Sequence, residues 1–166
     1  MSTPRTQKRR VGVGVVAVVL GLLLAGCTAP ETGTGPPATP EQTAEMEAAL
    51  TTAESSLGTI VVDGQGMTVY VFDNDTADSG MSVCEGDCLV QWPAVVTDSD
   101  TPTVEGVTGT VGTITRTDDG SKQITLNGLP LYYWVEDTAA GDVTGQGVGG
   151  VWWVVGPDGV KITDGS

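Results

Sequence analysis

Residues 66–75, Gly66-Met67-Thr68-Val69-Tyr70-Val71-Phe72-Asp73-Asn74-Asp75, decide how the chain is read. They recur without a gap as Gly128-Leu129-Pro130-Leu131-Tyr132-Tyr133-Trp134-Val135-Glu136-Asp137, 62 residues further on. Each copy is rich in β-branched and aromatic residues and ends in a turn-forming Asp, the pattern of a strand running into a turn. A turn-rich segment and then tryptophan follow both: Trp92 in the first half, Trp152 and Trp153 in the second. Two related β units sharing one fold are therefore expected.

Strand alternation puts Tyr70 and Phe72 on one face and Val69 and Val71 on the other; Tyr132 and Trp134 likewise oppose Leu131, Tyr133 and Val135. Both faces are apolar. Either the strands are covered on both sides, or one aromatic face stays open to a planar or carbohydrate-like ligand. Outward from the two copies, strands are predicted at 58–62, 68–72, 92–96, 110–117, 122–126, 130–135, 151–155 and 160–162. The turn residues are Asp63-Gly64-Gln65-Gly66, Asp118-Asp119-Gly120 and Pro157-Asp158-Gly159. No helical period is visible after residue 56. The expected fold is all-β and antiparallel, about eight strands in two related halves over residues 57–166. It is read as a sandwich or partly closed barrel, with a propeller-like arrangement as the further option.

The amino-terminal part reads as export machinery. Arg5, Lys8, Arg9 and Arg10 precede a 15-residue apolar run, 11–25. A membrane span needs roughly 20 such residues, so residues 1–26 suit a cleaved signal peptide. Leu24-Ala25-Gly26-Cys27 resembles the lipobox of bacterial prolipoproteins. That likeness implies cleavage before Cys27 and a diacylglyceryl thioether on it, an anchor held by several acyl chains. Residues 27–56 read as a lipidated Cys followed by a Pro/Thr/Gly-rich tether. Within it, residues 40–50 suit either a short helix capped by Thr39 or more spacer. The expected location is the outer face of the cytoplasmic membrane.

Removing the signal changes the charge from −14 to −18, because only Arg116, Lys122 and Lys161 then face all 21 carboxylates. Such a surface repels nucleic acid and anionic lipid. The expected partners are the membrane, through the lipid, and an envelope polymer or protein.

Tyr70, Phe72 and Asp75 share with Tyr132, Trp134 and Asp137 the order Tyr, any residue, an aromatic, two residues, Asp. In this the chain resembles the secreted-repeat bacterial lipoproteins with the Tyr-x-(Phe/Trp/Tyr)-x-x-Asp, or Y-X4-D, motif. The likeness covers about residues 57–162. It includes Cys84-Glu85-Gly86-Asp87-Cys88 ahead of Trp92-Pro93, and Gly145-Gln146-Gly147-Val148-Gly149-Gly150 ahead of Trp152. The resemblance implies the fold and the location and brings no activity, substrate or catalytic residue. Where the family pattern has His after the Asn-Gly turn, this chain has Leu129.

Asp75 and Asp137 fall just past strand ends, where a carboxylate accepts backbone N–H bonds and caps a turn. The rival role is a calcium site formed by Asp73, Asp75 and Asp78, although the spacing is not that of an EF-hand loop. With Cys27 lipidated, Cys84 and Cys88 form an even pair in an oxidising space and are expected to bond to each other. The bond acts as a structural clip or as a thiol–disulfide couple, and the flanking Glu85 and Asp87 disfavour the thiolate that the couple needs.

The chain has no His, which removes Ser-His-Asp and Cys-His nucleophile systems and imidazole metal sites. Gly145, Gly147 and Gly150 match a dinucleotide fingerprint in letters, but they precede a strand instead of following one, so a close-packed glycine loop is expected. No cofactor is implied. The functional expectation is a non-enzymatic acidic module, with an extracytoplasmic redox protein using Cys84 and Cys88, or a calcium-stabilised binding module, as the alternatives.

Overall fold

The computed structural model describes residues 48–164. The stretches expected to be signal peptide and tether, with Cys27, lie outside the described residues up to residue 47. Among the described residues seven strands form three small antiparallel sheets. In the first, β1 (Leu50–Ser55) pairs with β2 (Gly58–Asp63); in the second, β3 (Tyr70–Phe72) pairs with β7 (Trp152–Val154). In the third, β4 (Val111–Thr115), β5 (Lys122–Leu126) and β6 (Leu129–Pro130) lie in that order. Single bridges stitch the sheets together, among them Tyr70 to Tyr132, Ala94 to Tyr132 and Val96 to Gln123. The domain is thus all-β in a sandwich arrangement, and among the described residues no barrel closes. No helix among them is long and apolar enough to cross a membrane.

Three expectations are corrected. The β domain starts by Leu50, not at 57, because β1 takes residues assigned to the tether and pairs throughout its length with β2, from Leu50 opposite Asp63 to Ser55 opposite Gly58. Leu50, the end of the stretch considered for a short helix, is a fully buried strand residue. Its Thr, Ala, Glu and Ser neighbours show little apolar alternation because this edge strand leaves most of its side chains half in water.

The second correction concerns three predicted strands: 130–135 survives only as β6 (Leu129–Pro130) with bridges at Tyr132, 160–162 as a single bridge at Lys161, and 92–96 as isolated bridges at Ala94 and Val96. Pro93 has no N–H to donate and breaks the ladder. The third is a one-turn helix, α1 (Asp87–Gln91), where none was expected. Five residues are too few for a sequence period to reveal.

The open question about strand faces has a definite answer: both are covered, with Val135 at the end of the second copy the one residue of those faces left exposed. Val69, Val71 and Leu131 enter one apolar core with Leu50, Val61 and Leu126. Tyr70 and Tyr132 enter a second, with Ile60, Cys84, Trp92 and Trp152. The repeat strands are the partition between these cores, which is why both of their faces are apolar. Burial of each large side chain contributes roughly 1.5–3 kcal/mol. Between β5 and β6 the chain reverses on Asn127 and Gly128, with φ of 50° and 77°, the left-handed pair that a two-residue hairpin requires.

Candidate functional site

The two motif copies meet at equivalent residues. Tyr70 N–H donates to the Tyr132 carbonyl at 2.8 Å and Tyr132 N–H returns a bond to the Tyr70 carbonyl at 3.0 Å. This antiparallel pairing of like with like sets up a local two-fold relation, and the side chains follow it. Tyr70 Oη donates to Asp137 Oδ2 at 2.5 Å, and Tyr132 Oη donates to Asp75 Oδ2 at 2.6 Å. Each tyrosine therefore reaches the aspartate of the other copy. The five-residue spacing within a copy places its Asp beyond the strand end, where the partner strand's phenol arrives.

Both carboxylates also hold loops. Asp75 Oδ1 accepts from Val83 N–H at 2.7 Å; Asp137 Oδ1 accepts from Thr144 N–H at 2.9 Å and from its hydroxyl at 2.6 Å. The expected turn-cap role is present in this wider form. Asp75 and Asp137 are 8% and 6% exposed, so each phenol and carboxylate is shielded from water. Burial, reinforced by the partner carboxylate, pushes both phenols well above the ordinary tyrosine range. Burial likewise raises Asp75, against the opposing effects of Tyr132, Val83 and Arg116.

Between the tyrosines lies a stack of four rings. Phe72 lies on Trp152 at 4.1 Å, Trp152 on Trp92 at 3.8 Å, and Trp92 on Trp134 at 4.3 Å between centroids. Tyr70 meets Trp92 edge-on at 5.4 Å, and Tyr132 meets Trp152 edge-on at 5.1 Å. Edge-on contacts of this kind are a favoured geometry of aromatic rings. All four aromatic motif residues predicted from sequence are thus brought into one array, with Trp92 and Trp152 at its centre.

The glycine loop packs directly on this array. A Cβ at Gly145 would fall 2.8 Å from Tyr70 Cζ and 2.9 Å from Trp92 Cη2, so only glycine fits, and its N–H donates to Tyr70 Oη at 3.2 Å. The segment ends in a 3-10 turn, Val148–Gly150, as a packing loop and not the start of a helix.

One group was not foreseen from the sequence. Arg116 is 5% exposed and binds Gln123 Oε1 at 2.6 Å, the Cys84 carbonyl at 2.8 Å, Ser82 Oγ at 3.3 Å and Asp118 at 3.0 Å. Ser82 Oγ shares a 2.6 Å bond with Tyr132 Oη, which links this cation to the motif. Desolvation works to lower the guanidinium pKa, but Asp118 outweighs it and the net direction is up; Asp118 is in turn lowered by Arg116. Only the scarcity of cations in the sequence hints at Arg116: Asp118 and Gln123 are near it in the chain, but Ser82 and Cys84, which tie it to the motif and the disulfide, are 34 and 32 residues away.

Cys84 and Cys88 are bonded, with Cα atoms 5.3 Å apart, and Cys84 is fully buried. The three acidic metal candidates have separate engagements. Asp73 takes Lys161 at 2.5 Å and Trp153 Nε1 at 2.9 Å, Asp75 takes Tyr132, and Asp78 packs against Gly128, where a Cβ would lie 2.6 Å from its backbone nitrogen. Among the described residues no group of three or more such side chains is placed to hold a metal. Depressions of about 340 and 310 Å³ exist elsewhere, and none of the six motif residues lines them.

These features define a class: a two-repeat β domain whose copies are locked by exchanged tyrosine–aspartate pairs around a shared tryptophan stack. The chain belongs to the family described as a secreted repeat of unknown function, whose model matches twice, at residues 51–96 and 112–156, over more than half of the chain. Each match contains one motif copy. Membership is consistent with an extracytoplasmic module. No curated protein and no solved structure matched the chain.

Proposed function

We propose that the protein is a non-enzymatic, rigid acidic module, moored by a lipid on Cys27 to the outer face of the cytoplasmic membrane, where it engages an envelope polymer or protein partner. The observation that carries this reading is the inward orientation of the motif. Tyr70, Tyr132, Asp75 and Asp137 satisfy one another, so the groups best suited to chemistry are engaged in holding the fold. A surface with a net charge of −18 then remains soluble close to the membrane.

Mass spectrometry of protein extracted from native membranes tests the anchor. The expected species begins at Cys27 and carries acyl chains; an intact Met1 terminus or an unacylated Cys27 overturns it. Affinity capture from native envelope with the lipid-free form then identifies the polymer or protein.

A second reading, thiol–disulfide chemistry at Cys84 and Cys88, draws support from the Arg116 cation on the Cys84 carbonyl, since a nearby positive charge favours a thiolate. The reduction potential separates the two. A value below about −300 mV belongs to an inert clip, and a higher one to a working couple.

A further inference from the structure

The aromatic array has a property that packing alone does not require. Trp134, Trp92 and Trp152 are readily oxidised rings in one continuous stack, with steps of 4.3 and 3.8 Å. From that stack each of two phenols is reached edge-on, Tyr70 from Trp92 and Tyr132 from Trp152. A phenol yields an electron readily only when its proton can leave at the same time. Proton transfer needs an acceptor within hydrogen-bond reach, and Asp137 and Asp75 stand at 2.5 and 2.6 Å.

The outer indole is placed in the opposite way. Trp134 is only partly buried, whereas Trp92 and Trp152 are 3% and 5% exposed. Its Nε1 is nevertheless buried without a hydrogen-bond partner. Such an orphaned donor calls for an explanation. Here it means that an oxidised Trp134 has no base to take its proton, stays strongly oxidising, and passes the vacancy inward.

We propose that this array is a one-electron relay for oxygen- or nitrogen-centred radical oxidants. The oxidant takes one electron from Trp134. The vacancy moves to Trp92 and is filled by Tyr70, or moves on through Trp152 and is filled by Tyr132. The tyrosine loses one electron from the ring and one proton from oxygen, becoming a neutral phenoxyl radical. Its proton rests on Asp137 or Asp75. The oxidant is reduced by one electron, and no bond to it is formed. Tyr133, the third tyrosine of the chain, packs on the other core and donates to Asp63 at 2.9 Å, outside the stack.

Pulse radiolysis of the intact protein with azide radicals, which oxidise indoles preferentially, tests the relay. The expected record is an indole radical-cation absorption decaying as a tyrosyl band grows, at a rate independent of protein concentration and slower in heavy water. The band should be lost in the Tyr70→Phe/Tyr132→Phe double variant and kept in Tyr133→Phe. A rate proportional to protein concentration, an absent tyrosyl band, no heavy-water effect, or a band that survives in the double variant overturns the proposal. Should the double variant fail to fold, the measurements on the unaltered protein and on Tyr133→Phe decide alone, and loss of the band in Tyr133→Phe counts against it.

Discussion

Tyr70 and Asp75 belong to one motif copy, yet the hydrogen bonds run Tyr70 to Asp137 and Tyr132 to Asp75. Removing either partner of such a buried pair leaves the other unsatisfied, at a cost of about 1–3 kcal/mol. A double-mutant cycle on urea unfolding should therefore show Tyr70→Phe and Asp137→Asn coupled by about 1–2 kcal/mol, and Tyr70→Phe and Asp75→Asn additive within about 0.5 kcal/mol. The opposite assignment of coupling would return the motif to a within-copy role. A second expectation concerns alkaline pH. All three tyrosines are raised by burial above their unfolded value of about 10. The native state then holds phenolic protons that the unfolded chain releases. The stability they confer is complete below pH ~10 and falls as pH rises. Tyrosinate absorbance should appear in one cooperative step together with loss of near-ultraviolet ellipticity. A gradual titration of a phenol near pH 10 in folded protein would contradict this.

Among the elements, β5 has the predicted bounds, and β2, β3, β4 and β7 lie within a residue or two of theirs, because alternation and Gly-containing turns are local signals. β1 and α1 escaped for different reasons. β1 is an edge strand without a strong apolar face, and α1 is a single turn whose Cys88 is tied back to Cys84. That tie orders the loop bearing Ser82 and Val83, which bind Tyr132 and Asp75. A five-residue ring stabilises by about 2 kcal/mol through chain entropy. Cys84→Ala with Cys88→Ala should lower stability by about that amount, read as a shift of the urea midpoint at constant slope. An unchanged midpoint would show that the loop is held by Arg116 and the Tyr132–Asp75 pair without the bond.

For the molecule as a unit, exchanged pairs mean that neither repeat contains its own partners. Residues 48–106 carry Tyr70 and Asp75 but lack Tyr132, Asp137 and Trp152. Expressed apart, 48–106 and 107–164 should each be unfolded by near-ultraviolet circular dichroism. Mixed together, they should recover the signal of the tryptophan stack. Independent folding of either half would show that the pairing across copies is dispensable. The sequence by itself determined the duplication, the β class, the turns, the acidic surface, and the pairing of Cys84 with Cys88. The duplication rests on matching two stretches 62 residues apart, and each of the others on composition or on neighbours close in the chain. Only the tertiary structure decided that both strand faces are covered, that Trp92 lies on Trp152, that Arg116 is buried, and that Tyr70 answers to Asp137. The physical reason is that two copies of one motif present the same phenol and the same carboxylate. Local periodicity cannot tell a bond within a copy from a bond between copies, and that choice was made by the antiparallel register of Tyr70 against Tyr132.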